Sequence, residues 1–240
     1  MVRAAVAEGA IAQLSGRRAV VAANGLGIAR KLAQGLKRHG AKVVEIRAAL
    51  TSKARAEQEL ADAARALGGI DLVVHASAGP LALRAKPIEG LSPDDWNSAV
   101  HKSMLATLFC LQGAHAQQHA TGGAVVIVGP STALVGAANA VPLMTLAEAQ
   151  RALVKSAARQ WGGLGMRLNW VGVSPAEYDE ALAELVAPQT PELGPPPPAL
   201  QRRPLAQDDI ADAIAWLGSD GARGVTGGTF NLDGGDWMVP

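Results

Sequence analysis

The 240-residue chain has one cysteine, one tyrosine, two phenylalanines and no surplus of either charge, with 22 Lys and Arg against 21 Asp and Glu. Each shortage closes a class of explanation. A lone Cys110 cannot form a disulfide within the chain, which suits a reducing, cytoplasmic setting. The balanced charge leaves no electrostatic footprint for nucleic acid or an anionic membrane. The opening stretch MVRAAVAEGAIAQL lacks the continuous apolar run of a signal peptide, and no segment reaches the length of a bilayer span. No metal site is expected. What is abundant is small: 27 glycines and many alanines, a composition suited to close packing of helices on a sheet.

The length suits a single domain over 1–240 with a substantial core. Short β-rich runs alternate with Ala-rich helical ones. RRAVVAA (17–23), AKVVEI (41–46), IDLVVHA (70–76), GGAVVIVG (122–129), GMRLNWVGV (165–173) and the stretch 224–235 read as strands. The unbroken apolar run of 70–76 fits a parallel sheet covered on both faces. Helical patterns occupy 28–39, 54–67, 142–161 and 208–217, with Gly40 and the pair Gly68-Gly69 as stops. Ser92-Pro93-Asp94-Asp95 marks another helix start, with Ser92 as cap, and that helix extends to about His119. Strand–helix alternation of this kind predicts an α/β fold with a doubly wound parallel sheet. The proline-rich stretch 187–204 reads as a stiff extended connector.

Two segments carry a family resemblance. KSAARQWGGLGMRLN (155–169) is similar to the end of the active-site helix and the following strand of the short-chain dehydrogenase/reductase family. DDIADAIAWLGSDGARGVTGGTFNLDGG (208–235) resembles that family's C-terminal signature, and the likeness extends over residues 15–239. The resemblance implies a Rossmann-like fold and a catalytic Asn, Ser, Tyr and Lys acting with NAD(P)H. In such a set the Tyr donates a proton, the Lys lowers its pKa, and the Ser holds the substrate carbonyl. Counted onto this chain, the four positions fall on Ser103, Pro130, Leu143 and Ala147, so every one is replaced. A shifted alignment does not rescue them. The one tyrosine, Tyr178, lies beyond the Asn169 strand with Leu182 four residues on. Ser131 beside Pro130 has no base, and His75 and His101 read better as structural histidines.

The nucleotide end departs as well. The family's Thr-Gly-x-x-x-Gly-Ile-Gly turn is matched by Ala22 to Ala29, so Ala23 and Ala29 replace two of the glycines and only Gly27 remains in register. Glycine there lets a pyrophosphate approach the backbone at a helix N-terminus, and a methyl group restricts the turn. Gly25 is an extra glycine that can bend the loop differently. Only 28 positions separate Val43 from Asp71, where the family needs about 20 more for a further helix and edge strand, so one edge unit is expected to be missing. Arg47, at the end of the second strand, reads as a solvated surface residue. The chain is thus expected to hold no catalytic and no cofactor-binding residues.

The retained residues are those of packing. In this family, helices corresponding to 93–119 and 142–162 pair between subunits into a four-helix bundle, and a further contact forms through about 208–239. Ala149, Ala152, Ala157 and Ala158 would permit close approach there, with Trp161 as an anchor. The resemblance therefore implies a pseudo-enzyme subunit of a hetero-oligomer, in which a paralogous catalytic subunit holds NAD(P) and oxidises a hydroxyacyl-type substrate. Two alternatives remain open: an active NAD(P)-dependent reductase using an unconventional acid such as His75 or Ser131, and a small-molecule-sensing protein using the vacated cleft.

Overall fold

The computed structural model describes residues 13–23, 25–182 and 207–237. In chain order these form β1 (Arg18–Ala22), α1 (Ile28–Arg38), β2 (Lys42–Ile46), α2 (Lys53–Leu67) and β3 (Leu72–His75). Next come α3 (Pro93–Trp96), a π-helical turn (Asn97–His101), α4 (Lys102–Gln118), β4 (Gly123–Pro130) and α5 (Val141–Trp161). The chain continues through β5 (Met166–Val173), α6 (Pro175–Tyr178), α7 (Gln207–Gly218) and β6 (Thr229–Leu232). The proline-rich 187–204 connector lies outside the described residues.

The six strands form one parallel sheet in the order β2-β1-β3-β4-β5-β6. Its centre is valine-rich because both faces are covered. Val20, Val73, Val74 and the run Val125–Val128 have no solvent exposure. Helices α1 and α7 pack together, and α2, α4 and α5 pack in succession. The fold is the Rossmann-like α/β architecture expected from the strand–helix alternation.

The missing unit is also visible. Between β2 and β3 the chain holds only α2, which packs on α4, and β2 is therefore an edge of the sheet. Local signals explain where the helices begin. Ser52 accepts from the Arg55 amide, and Ser92 forms a reciprocal capping box with Asp95, with Pro93 at the first helical position. The helix expected from Ser92 to His119 is not uniform, because the π turn at Asn97–His101 adds a residue to its second turn. The bundle alanines need correction. Ala157 and Ala158 are buried in the chain's own core, whereas Ala152 is exposed and Ala149 half-exposed. Trp161 is half-buried against His115, with ring centroids 4.9 Å apart.

Candidate functional site

In a doubly wound sheet, the ligand crevice lies beyond the carboxyl ends of the strands, where the strand order reverses. Here that place is bounded by the turn after β1, the loops after β3 and β4, and the segment after β5.

The first turn is tight. The Leu26 amide donates to the Ala23 carbonyl at 2.9 Å, Gly25 takes φ +75°, and Leu26 is buried. Gly25 is thus the residue that bends this loop, since a side chain is strained at that φ. Gly27 caps α1 with no side-chain bond of its own, and α1 has no acid in its first turn. The anion at this helix end comes from far along the chain: Asp179 Oδ2 accepts from the Gly27 amide at 3.2 Å.

Asp179 follows α6, and the element folds back over the turn. Tyr178 is fully buried and hydrogen-bonded to the Ser77 backbone just after β3. Burial, reinforced by the neighbouring Asp179 charge, pushes its phenol above the ordinary tyrosine range. A catalytic lysine would shift it the other way. Tyr178 is therefore in the crevice without the environment of a proton donor.

Behind Ser77 runs a buried polar chain. The Gln150 amide donates to the Ser77 carbonyl at 3.2 Å and to Thr107 Oγ1 at 2.9 Å. Thr107 Oγ1 lies 3.2 Å from His75 Nε2, and His75 Nδ1 is 2.8 Å from the Ala22 carbonyl. A carbonyl only accepts, so the His75 proton sits on Nδ1. Burial pulls the His75 pKa down to about 4, against the bond to Ala22. His75 is a neutral structural histidine, and His101 is exposed on the π turn.

The four family positions all lie in described elements. The Ser103 hydroxyl donates to Ala99 O at 2.8 Å and accepts from the Gly79 amide at 2.9 Å, so it braces the loop after β3. Pro130 ends β4 opposite Val173. Leu143 and Ala147 are 0% and 1% exposed on α5, packed in the hydrophobic core. Ser131 is buried as well, its hydroxyl without a partner among the described residues and with no base beside it. Arg47 is at the surface, 3.6 Å from Glu45.

In the first turn the residues depart from the family's glycine pattern. Ala23 puts a methyl in the turn, and the Gly27 amide that a pyrophosphate would engage already holds a carboxylate. The expected loop Ala23, Gly27 and Ala29 is thus drawn together with two residues that family spacing did not flag, Tyr178 and Asp179. Among the described residues no group of three or more His, Cys, Asp or Glu is placed to hold a metal. A hollow of about 490 Å³ remains at the outer end of the crevice, between Leu50, Pro80, Lys102, Ser103 and Leu105. A second, of about 440 Å³, lies at the opposite end of the sheet beside Arg17, Arg167 and Asp220, away from the crevice.

Known proteins place the chain. Residues 44–236 match the enoyl-(acyl carrier protein) reductase family. A probable 2,4-dienoyl-CoA reductase of Bacillus subtilis is 26% identical over 196 residues, covering 79% of this chain and 74% of that protein. D-threitol dehydrogenase of Mycolicibacterium smegmatis is 32% identical over 185 residues, covering 74% and 67%. A putative short-chain alcohol dehydrogenase of Sinorhizobium meliloti superposes with a TM-score of 0.75 at 23% identity, over 94% of this chain and 98% of that one. The family match over most of the chain and the 32% identical relative agree, and the chain belongs to the short-chain dehydrogenase/reductase family.

Proposed function

We propose that this chain is a non-catalytic subunit of a hetero-oligomeric short-chain dehydrogenase. One observation carries the reading: the family's Tyr and Lys positions are Leu143 and Ala147, both buried in apolar packing with nothing titratable in their place. General acid–base catalysis needs a group that can release a proton within hydrogen-bond reach of substrate, and His75, Ser131 and Tyr178 each lack that setting. The partner is a paralogous catalytic subunit carrying NAD(P), and this chain holds no cofactor. Its role is to complete the assembly through the exposed faces of α4 and α5, in a reducing cytoplasmic compartment.

The substrate of the complex is a hydroxyacyl compound in this reading. Support comes from the acyl-thioester names borne by the matching family and by the Bacillus subtilis relative. The dehydrogenase of the benzylsuccinate pathway of anaerobic toluene degradation, with one catalytic and one vacated subunit, is an arrangement of this kind. Affinity purification from the native host, with mass spectrometry, tests the proposal. It should recover an intact family member, and the complex should oxidise or reduce nicotinamide while this chain alone does not. Saturable turnover by the purified chain alone would overturn it. The hollow beside Ser103 supports one other reading, a small-molecule sensor. Specific ligand binding without turnover, and a partner from outside the family, would be its signature.

A further inference from the structure

We propose that Tyr178 and Asp179 are a built-in occupant of the nucleotide seat, so that the chain supplies to its own Rossmann turn the anion that a dinucleotide brings elsewhere. The N-terminus of an eleven-residue helix such as α1 presents unpaired amides and a partial positive charge, and it is most stable with an anion on it. Nothing local provides one, since the cap is Gly27 and the first turn has no acid. Asp179 does so from 152 residues away.

The carboxylate is held in place from both sides. Its Oδ1 accepts from the Ala181 amide at 3.1 Å, and the Leu182 amide donates to the Asp179 carbonyl at 3.0 Å, with Leu182 fully buried. On the other side Tyr178 is anchored in the crevice at Ser77, whose carbonyl is in turn held by Gln150. Lys31 on α1 lies 4.0 Å from Glu177 of the same element. The contact is therefore a braced segment across the mouth of the turn. A pyrophosphate approaching Gly27 would meet the Asp179 carboxylate and would have to displace it from the amide.

The test uses the isolated full-length chain, with inorganic pyrophosphate and NADPH as probes and backbone amide resonances as readout. In the unmodified protein the Gly25, Gly27 and Ile28 amides should not move at millimolar concentrations of either probe, and the Gly27 amide should be protected from exchange. Asp179→Ala should bind pyrophosphate at those amides roughly tenfold more tightly or better, while Glu177→Gln, which removes a neighbouring carboxylate, should behave like the unmodified chain. Saturable NADPH binding by the unmodified chain would overturn the inference, as would equal effects of the two variants or no gain from Asp179→Ala. The unmodified-chain experiment decides even where Asp179→Ala does not fold. The outcome is separable from the functional proposal: nucleotide binding without turnover removes self-occupancy alone, whereas turnover removes the non-catalytic reading.

Discussion

His75 sits at the last position of β3 with both ring nitrogens engaged and no contact with water. Its ring is kept neutral in the folded chain, with the pKa near 4 against an ordinary 6.5. Above pH 6.5 both states are neutral and the fold keeps its full stability. As pH falls from 6.5 towards 4, the unfolded chain takes up the proton first, and up to about 3 kcal/mol is lost. His75→Asn should flatten that part of the acid limb, because its amide stands where Nδ1 does and can still donate to Ala22 but does not titrate here. Urea denaturation of both proteins across this pH window checks it, and parallel curves would refute it. The vacated positions obey the same rule about buried charge. Leu143→Tyr with Ala147→Lys restores the family's letters, yet position 147 is in the core, where an unpaired ammonium is strongly destabilising. The double variant should melt several degrees lower and show no nicotinamide turnover on its own. Measurable turnover by a homogeneous sample would mean that the crevice still accepts cofactor and substrate.

Between elements, fit is set by glycines rather than by large side chains. A Cβ on Gly113 of α4 would stand 2.5 Å from Leu60 Cδ1 and 3.2 Å from the Ala56 carbonyl oxygen of α2. Gly113→Ala should therefore cost about 1–3 kcal/mol by pushing α2 and α4 apart. Gly162→Ala, with φ −56° and nothing within 4 Å, should be neutral or slightly stabilising. Thermal unfolding of the two single variants decides between them. Such contacts show which features were legible in the sequence. The strands were, since Val73–Val74 and Val125–Val128 are unbroken apolar runs buried on both faces. The Ser92 cap was too, because its chemistry is local. The π turn was not, since one extra residue in NSAVH leaves the helical pattern unaltered. The inward turn of Ala157 and Ala158 was also hidden, because alanine serves equally on a core face and on a subunit face. The crevice was half legible. The replacements at Leu143 and Ala147 follow from counting the family's positions onto the chain, but the return of Tyr178 to Ser77 joins elements about a hundred residues apart, and no local pattern encodes it.

At the scale of the whole molecule, losing one strand–helix unit moves the edge of the sheet to β2. An exposed edge invites pairing with other strands, and charge on it is a defence. β2 carries exposed Lys42, and its Glu45 lies 3.9 Å from Lys37 and 3.6 Å from Arg47, so this edge is blunted with charge. In the proposed hetero-oligomer, contact with the partner then falls to other surfaces. On α5 the outward positions include Ala149, Ala152 and Ser156, while Val154, Ala157 and Ala158 face the core. The two faces predict opposite outcomes for the same substitution. Ala152→Glu places a carboxylate on the outward face, so the isolated chain should keep its melting temperature while association with the proposed catalytic partner weakens. Ala157→Glu buries the carboxylate inside the subunit and should lower the melting temperature whether or not a partner is present. Sedimentation of the purified complex, with melting curves of each isolated variant, separates the two. An Ala152→Glu complex that sediments unchanged would remove the α5 face from the interface.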